Sequence, residues 1–191
     1  IRRVHRELME DGQALSTVSN LARHHDVCVV GSPQADADRR LIEAVLFHSG
    51  RPVLVAPRRW TQKPIGKIVV VAWKPTREAS RALAEAEAFV TSASRTYVLR
   101  VDAEDDLQRC CNAGDAVVAH LHRHGVNAES RVIAPVGETD GRAILTHAEA
   151  VGADLIVMGG YGRPRASEFI FGGVTRELLS ATTIPIPMTP R

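Results

Sequence analysis

The chain has 191 residues, of which 45% are hydrophobic and 24% charged, so it can bury one core, or one core and part of another. Lysine and arginine total 24 against 22 aspartate and glutamate, with no dense block of one sign, so charge does not favour nucleic acid or a membrane surface as partner. Its apolar runs are far shorter than the roughly 20 residues of a membrane helix. Three cysteines, Cys28, Cys110 and Cys111, make a poor disulfide framework, so we expect free thiols and a cytoplasmic protein.

From residue 67 onward, apolar runs of strand length alternate with segments in which Ala and Leu recur at helical spacing. The predicted strands are residues 67–73, 95–101, 127–134, 154–158 and 184–188. The predicted helices are residues 77–92, 107–124, 142–151 and 168–181. Five strands joined by four helical crossovers predict an α/β fold, with a parallel sheet and helices on both faces.

The segment before residue 58 repeats the end of this pattern. Residues 25–31 align with residues 153–159, and residues 51–57 align with residues 184–190, with a helix between the two segments in each copy. Both copies therefore run from a strand through a helix to a strand flanked by proline.

This repeat predicts two unequal units. Upstream of the repeated part, residues 3–9 have the pattern of a strand and residues 13–23 that of a helix. We therefore expect residues 1–57 to form only the C-terminal half of a degenerate unit. Residues 58–66 contain proline and glycine and few apolar residues, which is typical of a linker, and residues 67–191 are predicted to form a complete domain.

A glycine-rich loop follows the predicted strand 154–158, and a helix follows the loop. Two residues separate Gly159 from Gly162, nine separate Gly162 from Gly172, and Gly173 comes next. Glycine lets backbone N–H groups turn toward an anion, and the next helix presents its positive N-terminal end to the same place. The pattern therefore predicts a phosphate-binding site.

This spacing and its flanking sequences resemble the universal stress protein (UspA-like) family, specifically its tandem-domain type. The family's loop has glycines with the same gaps of two and nine residues, followed by serine or threonine. The resemblance covers residues 67–191 well and residues 1–57 more loosely. It implies a five-stranded parallel sheet in the order 3-2-1-4-5, of the adenine-nucleotide alpha-hydrolase-like kind. It also implies ATP across the carboxyl ends of strands 1 and 4, where a doubly wound sheet reverses direction.

The resemblance implies an ATP site at the ends of the first, second and fourth predicted strands of the domain and at the start of its last helix. The implied binding residues are Ala72, Trp73, Lys74, Val101, Met158, Gly159, Gly162, Arg163, Gly172, Gly173, Val174 and Thr175. Gly159 and Gly162 would let the backbone reach phosphates and ribose, and Thr175 would offer a hydroxyl. Arg163 either pairs with phosphates or is a solvated loop residue.

Two departures from the family pattern count against tight ATP binding. Gly173 replaces a serine or threonine that would hold a phosphate. Lys74 replaces an aspartate near the nucleoside, and lysine cannot accept hydrogen bonds from ribose hydroxyls. In the first copy, the loop after Gly31 lacks the second and third glycines and carries Asp36 and Asp38, so we expect no nucleotide there.

We predict no metal site and no catalytic residues. His120 and His124 lie one helical turn apart, but no carboxylate or cysteine stands at a supporting spacing. The chain also lacks a Gly-x-Ser-x-Gly sequence and a Walker phosphate loop. Binding is therefore favoured over catalysis, and a slow ATPase would have no positioned base.

The leading hypothesis is an ATP-responsive sensor or regulator of the stress response, and the alternative is a scaffold that acts through protein contacts alone. In the family, fifth strands from two domains pair antiparallel, which covers an otherwise exposed edge. We therefore expect Val53–Ala56 to pair with residues 184–188 as an intrachain pseudo-dimer. A homo-oligomer is a further expectation, and neither nucleic acid nor a membrane is an expected partner.

Overall fold

The structure is a computed structural model that describes residues 11–60, 63–102, 107–160 and 172–189. Its elements, in chain order, are α1 (Asp11–Ala22), β1 (Cys28–Gly31), α2 (Asp36–His48), β2 (Val53–Ala56), β3 (Ile68–Ala72), α3 (Arg77–Glu85), α4 (Glu87–Ser92), β4 (Arg95–Val101), α5 (Leu107–Arg123), β5 (Ala128–Ile133), α6 (Asp140–Ala150), β6 (Leu155–Met158), α7 (Gly173–Ala181) and β7 (Ile186–Met188). In the part of the chain so described, no helix is long and apolar enough to cross a membrane.

The strands form one sheet in the order β1-β2-β7-β6-β3-β4-β5. Neighbouring strands are parallel except for β2 and β7, which are antiparallel. The predicted α/β fold with a parallel sheet and helices is confirmed. Within the part that follows residue 66, the strand order changes direction between β3 and β6, so their carboxyl ends open side by side.

The antiparallel junction joins the two segments that were expected to meet. Val53 lies opposite Met188, and Val55 lies opposite Ile186. On its other side, β7 has only Met158 in register, and the Ile156 N–H donates to the Pro185 carbonyl oxygen at 3.0 Å. Proline has no N–H to donate, so a strand with prolines at 185 and 187 is confined to a short pairing.

Helices cover both faces of the sheet. On one face α1, α2, α6 and α7 pack against alternate strand residues such as Val70 and Ile156. On the other face α3, α4 and α5 pack against the intervening residues, such as Val71 and Val157. This alternation follows from the two-residue period of a strand, and apolar side chains on both faces are typical of parallel sheets.

The structure departs from the predicted elements mainly in one helix. The predicted helix 77–92 is wrong as a single element, because α3 ends at Glu85 and α4 begins at Glu87. Ala86 lies between them with φ −89° and ψ 6°, and both Ala86 and Val90 are buried. The segment holds no glycine or proline to indicate this bend. The predicted strand 3–9 and the first residues of the predicted helix 168–181 lie outside the described residues.

Candidate functional site

The carboxyl ends of β3, β4 and β6 bring several predicted site residues together. Ala72, the last residue of β3, lies opposite Met158 in β6 on one side and opposite Leu99 in β4 on the other. Trp73 continues from β3 and donates its backbone N–H to the Leu99 carbonyl oxygen at 2.8 Å. Val101 ends β4 at the same edge of the sheet. These residues surround the crevice, which we define as the space at the carboxyl ends of β3 and β6, where the strand order reverses.

The N-terminus of α7 has neither a side-chain cap nor an acidic residue in its first turn. Gly172 is the N-cap residue, with φ −63° and ψ 160°. Among the described residues, nothing lies within 4 Å of a Cβ atom added to Gly172 or Gly173. Val174 is half-buried and Thr175 is buried in the first turn. A helix N-terminus without a side-chain cap or an acidic residue in its first turn favours an anion.

Gly159 has a packing role that the sequence pattern did not indicate. A Cβ atom at this position would lie 2.7 Å from the Ala79 nitrogen and 2.8 Å from the Glu78 carbonyl carbon. The first turn of α3 therefore rests directly on the end of β6. This close approach carries the N-terminus of α3 to the rim of the crevice.

Two residues at the start of α3 were missed in the sequence analysis. The Thr76 hydroxyl caps the helix by accepting the Ala79 N–H at 3.3 Å. The Glu78 carboxylate accepts a hydrogen bond from Arg77 Nε at 2.7 Å, which lowers the pKa of Glu78. Its side chain is only 12% exposed. The only sequence signal is a threonine followed two positions later by an acid, which is common at any helix start.

Helix α2, the equivalent of α7 in the first copy, carries two carboxylates in its first turn, Asp36 and Asp38. Asp38 accepts the backbone N–H groups of Gln34 and Ala35 at 2.8 and 3.1 Å. Asp36 lies in the same first turn and pairs with Arg39 at 2.7 Å. The negative charge of Asp36 and Asp38 disfavours a phosphate at this end of α2.

A cavity of about 650 Å³ lies beside the crevice, between α3–α4 and α5. Trp73 forms part of its wall, and the indole N–H of Trp73 is buried without an acceptor among the described residues. His120 and His124 also line the cavity, with their ring centroids 4.7 Å apart. Across the described ranges, no group of three or more His, Cys, Asp or Glu residues is placed to hold a metal ion.

Residues 66–190 match the sequence model described as "Universal stress protein family". The chain belongs to the universal stress protein family. The match covers the whole of the part predicted to be a complete domain, apart from the last residue. No curated protein sequence matches the chain significantly.

Solved structures of low sequence identity share the fold. A universal stress protein from Archaeoglobus fulgidus DSM 4304 superposes with a TM-score of 0.71 at 20% identity, over 93% of this chain and 65% of that one. The chain therefore spans just under two thirds of the length of that structure. A functionally unknown protein from Pseudomonas aeruginosa PAO1 superposes with a TM-score of 0.63 at 14% identity, over 97% of this chain and 69% of that one. A protein of the universal stress protein family from Burkholderia pseudomallei has a TM-score of 0.50 at 25% identity, over 68% of this chain and 99% of that one.

In this universal stress protein, part of the implied nucleotide site lies beyond the described ranges. Gly162 and Arg163 belong to residues 161–171, so the contribution of that loop stays a prediction. Lys74 is exposed at the rim, where the family pattern has an acid. Of the remaining implied residues, Ala72, Val101 and Met158 lie at the carboxyl ends of β3, β4 and β6. Gly172, Gly173, Val174 and Thr175 lie at the N-terminus of α7.

Proposed function

We propose that residues 67–191 bind an adenine nucleotide, ATP, with its phosphates at the N-terminus of α7 and its nucleoside at the carboxyl ends of β3 and β4. The observation that carries the proposal is the start of α7, which among the described residues has no acid in its first turn and no side-chain cap, and which follows β6, where the strand order reverses. The equivalent helix start in the first copy carries Asp36 and Asp38, so of the two sister positions the start of α7 is the better suited to an anion. Ligand crevices of doubly wound sheets form at this kind of position.

The phosphates would be held by backbone groups. Glycine at positions 172 and 173 has no side chain of its own to keep phosphate oxygens from the N–H groups of the first turn. Charge at a helix end contributes about 0.3–1 kcal/mol when exposed and up to about 2 kcal/mol when partly buried. Because Gly173 supplies no hydroxyl, we expect weaker binding than in a site with serine or threonine there.

The nucleoside would lie along Trp73, Val101 and Met158. Glu78 offers the carboxylate that Lys74 cannot, because α3 places it in the first turn after β3. Its pKa is lowered by the Arg77 hydrogen bond, so the group is ionised at neutral pH and can accept hydrogen bonds from ribose hydroxyls.

In this proposal, residues 1–57 are a degenerate partner that binds no nucleotide, and the β2–β7 pairing joins two sister units as an intrachain pseudo-dimer. The protein acts as an ATP-responsive sensor or regulator of the stress response in the cytoplasm, without a reaction of its own. The alternative is a stress scaffold that acts through protein contacts alone. Two features favour that alternative: Lys74 is exposed at the rim, and Gly173 lacks a hydroxyl.

Isothermal titration calorimetry with ATP tests the proposal. Gly173→Asp places a negative charge in the first turn of α7 and should weaken ATP binding about tenfold or more, which corresponds to about 1.4 kcal/mol. Gly173→Asn adds a side chain of the same size without the charge, so it isolates the effect of the charge and should bind ATP about tenfold more tightly than Gly173→Asp. No heat at millimolar ATP with the wild-type chain would favour the scaffold, and equal affinity in the two variants would place the phosphates elsewhere.

Two further readouts use the same samples. Trp60 and Trp73 are the two tryptophans of the chain, so Trp60→Phe leaves Trp73 as the sole indole reporter at the crevice. ATP should then change Trp73 fluorescence with the same affinity that calorimetry gives. A phosphate-release assay tests for hydrolysis, and release that exceeds the rate in buffer would contradict the proposal of binding without a reaction.

A further inference from the structure

The cavity between α3–α4 and α5 has an apolar floor and exposed rims. Ala84 on one rim and Ala116 on the other are exposed, and their short side chains leave the space between the helices open. The volume of about 650 Å³ lies within the range of small-molecule sites, about 300–1,000 Å³. The side chains of its floor are all buried: Leu83, Val90, Val117, Leu121 and Val126.

The two ends of the cavity differ in polarity. Trp73 and Pro75 follow β3, so they mark the end of the cavity at the carboxyl ends of the strands. Val126 precedes β5 and marks the opposite end, toward which α4 and the last turns of α5 run. The polar side chains that line this second end are Glu87, Thr91, His120 and His124. The cavity is therefore apolar along its length and polar at the end near Val126.

Glu87 gives the polar end a negative charge. Of the described residues that line the cavity, Glu87 is the only carboxylate, and none is a lysine or an arginine. Its carboxylate makes no hydrogen bond or ion pair with another described residue, whereas Glu85 nearby is paired with Arg81 at 3.0 Å. An uncompensated carboxylate attracts a cation and repels an anion. The charge of the cavity therefore favours a positively charged ligand.

His120 and His124 add hydrogen-bond acceptors at the same end. Their ring centroids lie 4.7 Å apart, and their ring nitrogens make no hydrogen bond to another described residue. A neutral imidazole keeps one acceptor nitrogen, and two protonated rings this close would repel each other. Carboxylate oxygens and imidazole nitrogens together suit a group that only donates, and an ammonium group has three donors and no acceptor.

We propose that this cavity binds an elongated apolar molecule that carries one amino group. Its ammonium group would lie at Glu87 and the two histidines, and its hydrocarbon body would lie along the floor toward Trp73. From Ala116 to His124 the helix α5 advances about 12 Å, at about 1.5 Å per residue. An extended amine of about eight carbons has a similar length, with C–C bonds of about 1.5 Å. The site goes beyond the proposed nucleotide function, with which it shares the wall formed by Trp73.

The test compares three ligands of equal chain length: n-octylammonium, 1-octanol and octanoate. Trp60→Phe leaves Trp73 as the sole tryptophan, and its fluorescence is titrated without ATP at about pH 8, where imidazole is neutral. Octylammonium should bind at least about tenfold more tightly than octanoate, with octanol between them. Because ATP is absent, failure of the nucleotide proposal leaves this result unchanged. Equal affinity for the three ligands would overturn the proposal, since it would show unselective adsorption.

Two pairs of variants locate the site. Glu87→Gln should weaken octylammonium binding about fivefold and change octanol binding by less than about twofold. Glu85→Gln, outside the cavity, should change neither. Ala116→Leu places a larger side chain at the rim and should weaken both ligands by more than about tenfold. Ala119→Leu, at an exposed position of α5 outside the cavity, should bind as the parent does. Leucine is a good helix former, so both leucine variants should fold, which circular dichroism checks.

Three results would overturn the proposal. The first is the lack of saturable octylammonium binding at millimolar concentration. The second is binding that survives Ala116→Leu, because the ligand would then lie elsewhere. The third is a change in Trp73 fluorescence that grows with protein concentration in the absence of any ligand, which would assign the cavity to a second copy of the chain.

Discussion

Replacing Gly159 with alanine tests how closely α3 approaches the end of β6. The new Cβ atom would lie 2.7 Å from the Ala79 nitrogen, 2.8 Å from the Glu78 carbonyl carbon and 3.0 Å from the Ala79 Cα. All three are backbone atoms, so no side-chain rotation relieves the contact. The first turn of α3 must therefore move by several tenths of an ångström. Overpacking of this kind costs about 1–3 kcal/mol, against a gain of about 0.4–1 kcal/mol from the stiffer unfolded chain.

We expect Gly159→Ala to lower the free energy of unfolding by about 1–2 kcal/mol, and the melting temperature by about 2–8 °C for a chain of this size. Gly31→Ala is the matched control, because it makes the same change at the equivalent position of the first copy, where nothing lies within 4 Å. It should be neutral, or stabilising by up to about 1 kcal/mol. Urea and thermal unfolding followed by circular dichroism measure both. Equal stability of the two variants would refute the close approach at Gly159.

Three further predictions concern single side chains. Asp154→Ala should lower the free energy of unfolding by about 2–3 kcal/mol in urea titrations, because three N–H groups lose a charged acceptor. As the matched control, Asp26→Ala should change the free energy of unfolding by less than about 0.5 kcal/mol. Burial lowers the pKa of His147 below its usual 6.5, and its Nε2 has no partner among the described residues. Protonation of His147 therefore opposes folding, so the free energy of unfolding should fall as the pH drops below about 6.5. His147→Gln should reduce the loss of melting temperature between about pH 7 and 5.5. Lys74→Asp should tighten ATP binding about tenfold by calorimetry, since it restores a carboxylate at the rim, and unchanged affinity would move the ribose away from residue 74.

The parallel α/β fold could be predicted from the sequence because burial on both faces produces apolar runs with a readable period. The strand segments at Val69 to Val71 and Leu155 to Val157 are nearly all apolar, and short crossovers leave few alternatives in topology. The bend at Ala86 could not be predicted. No local signal marks it, since alanine has the highest helix propensity and the bend is associated with burial of Ala86 and Val90 against the sheet.

Part of the candidate site could likewise be predicted from the sequence, and part could not. The spacing of Gly159, Gly162 and Gly172 indicated the family and the edge of the sheet at which the crevice lies. The family resemblance implied that the Gly159 backbone reaches phosphates and ribose, which stays a prediction, and only the structure revealed that a helix turn packs against this glycine. The glycine spacing indicated no role for Glu78, because an acid near a helix start is common. Only the fold places this carboxylate beside the crevice.

The sequence by itself determined the order of strands and helices, the repeat, and the glycine spacing at the second crevice, because each of these depends on neighbouring residues or on residue type. Tertiary structure alone decided which repeated positions are covered. Asp26 and Asp154, and Gly31 and Gly159, are identical pairs in the sequence. Their environments differ because β3 and α3 pack against Asp154 and Gly159, and no described strand or helix takes the equivalent place beside Asp26 and Gly31. Whether an apolar edge is core or surface depends on a partner distant along the chain, which no local pattern encodes.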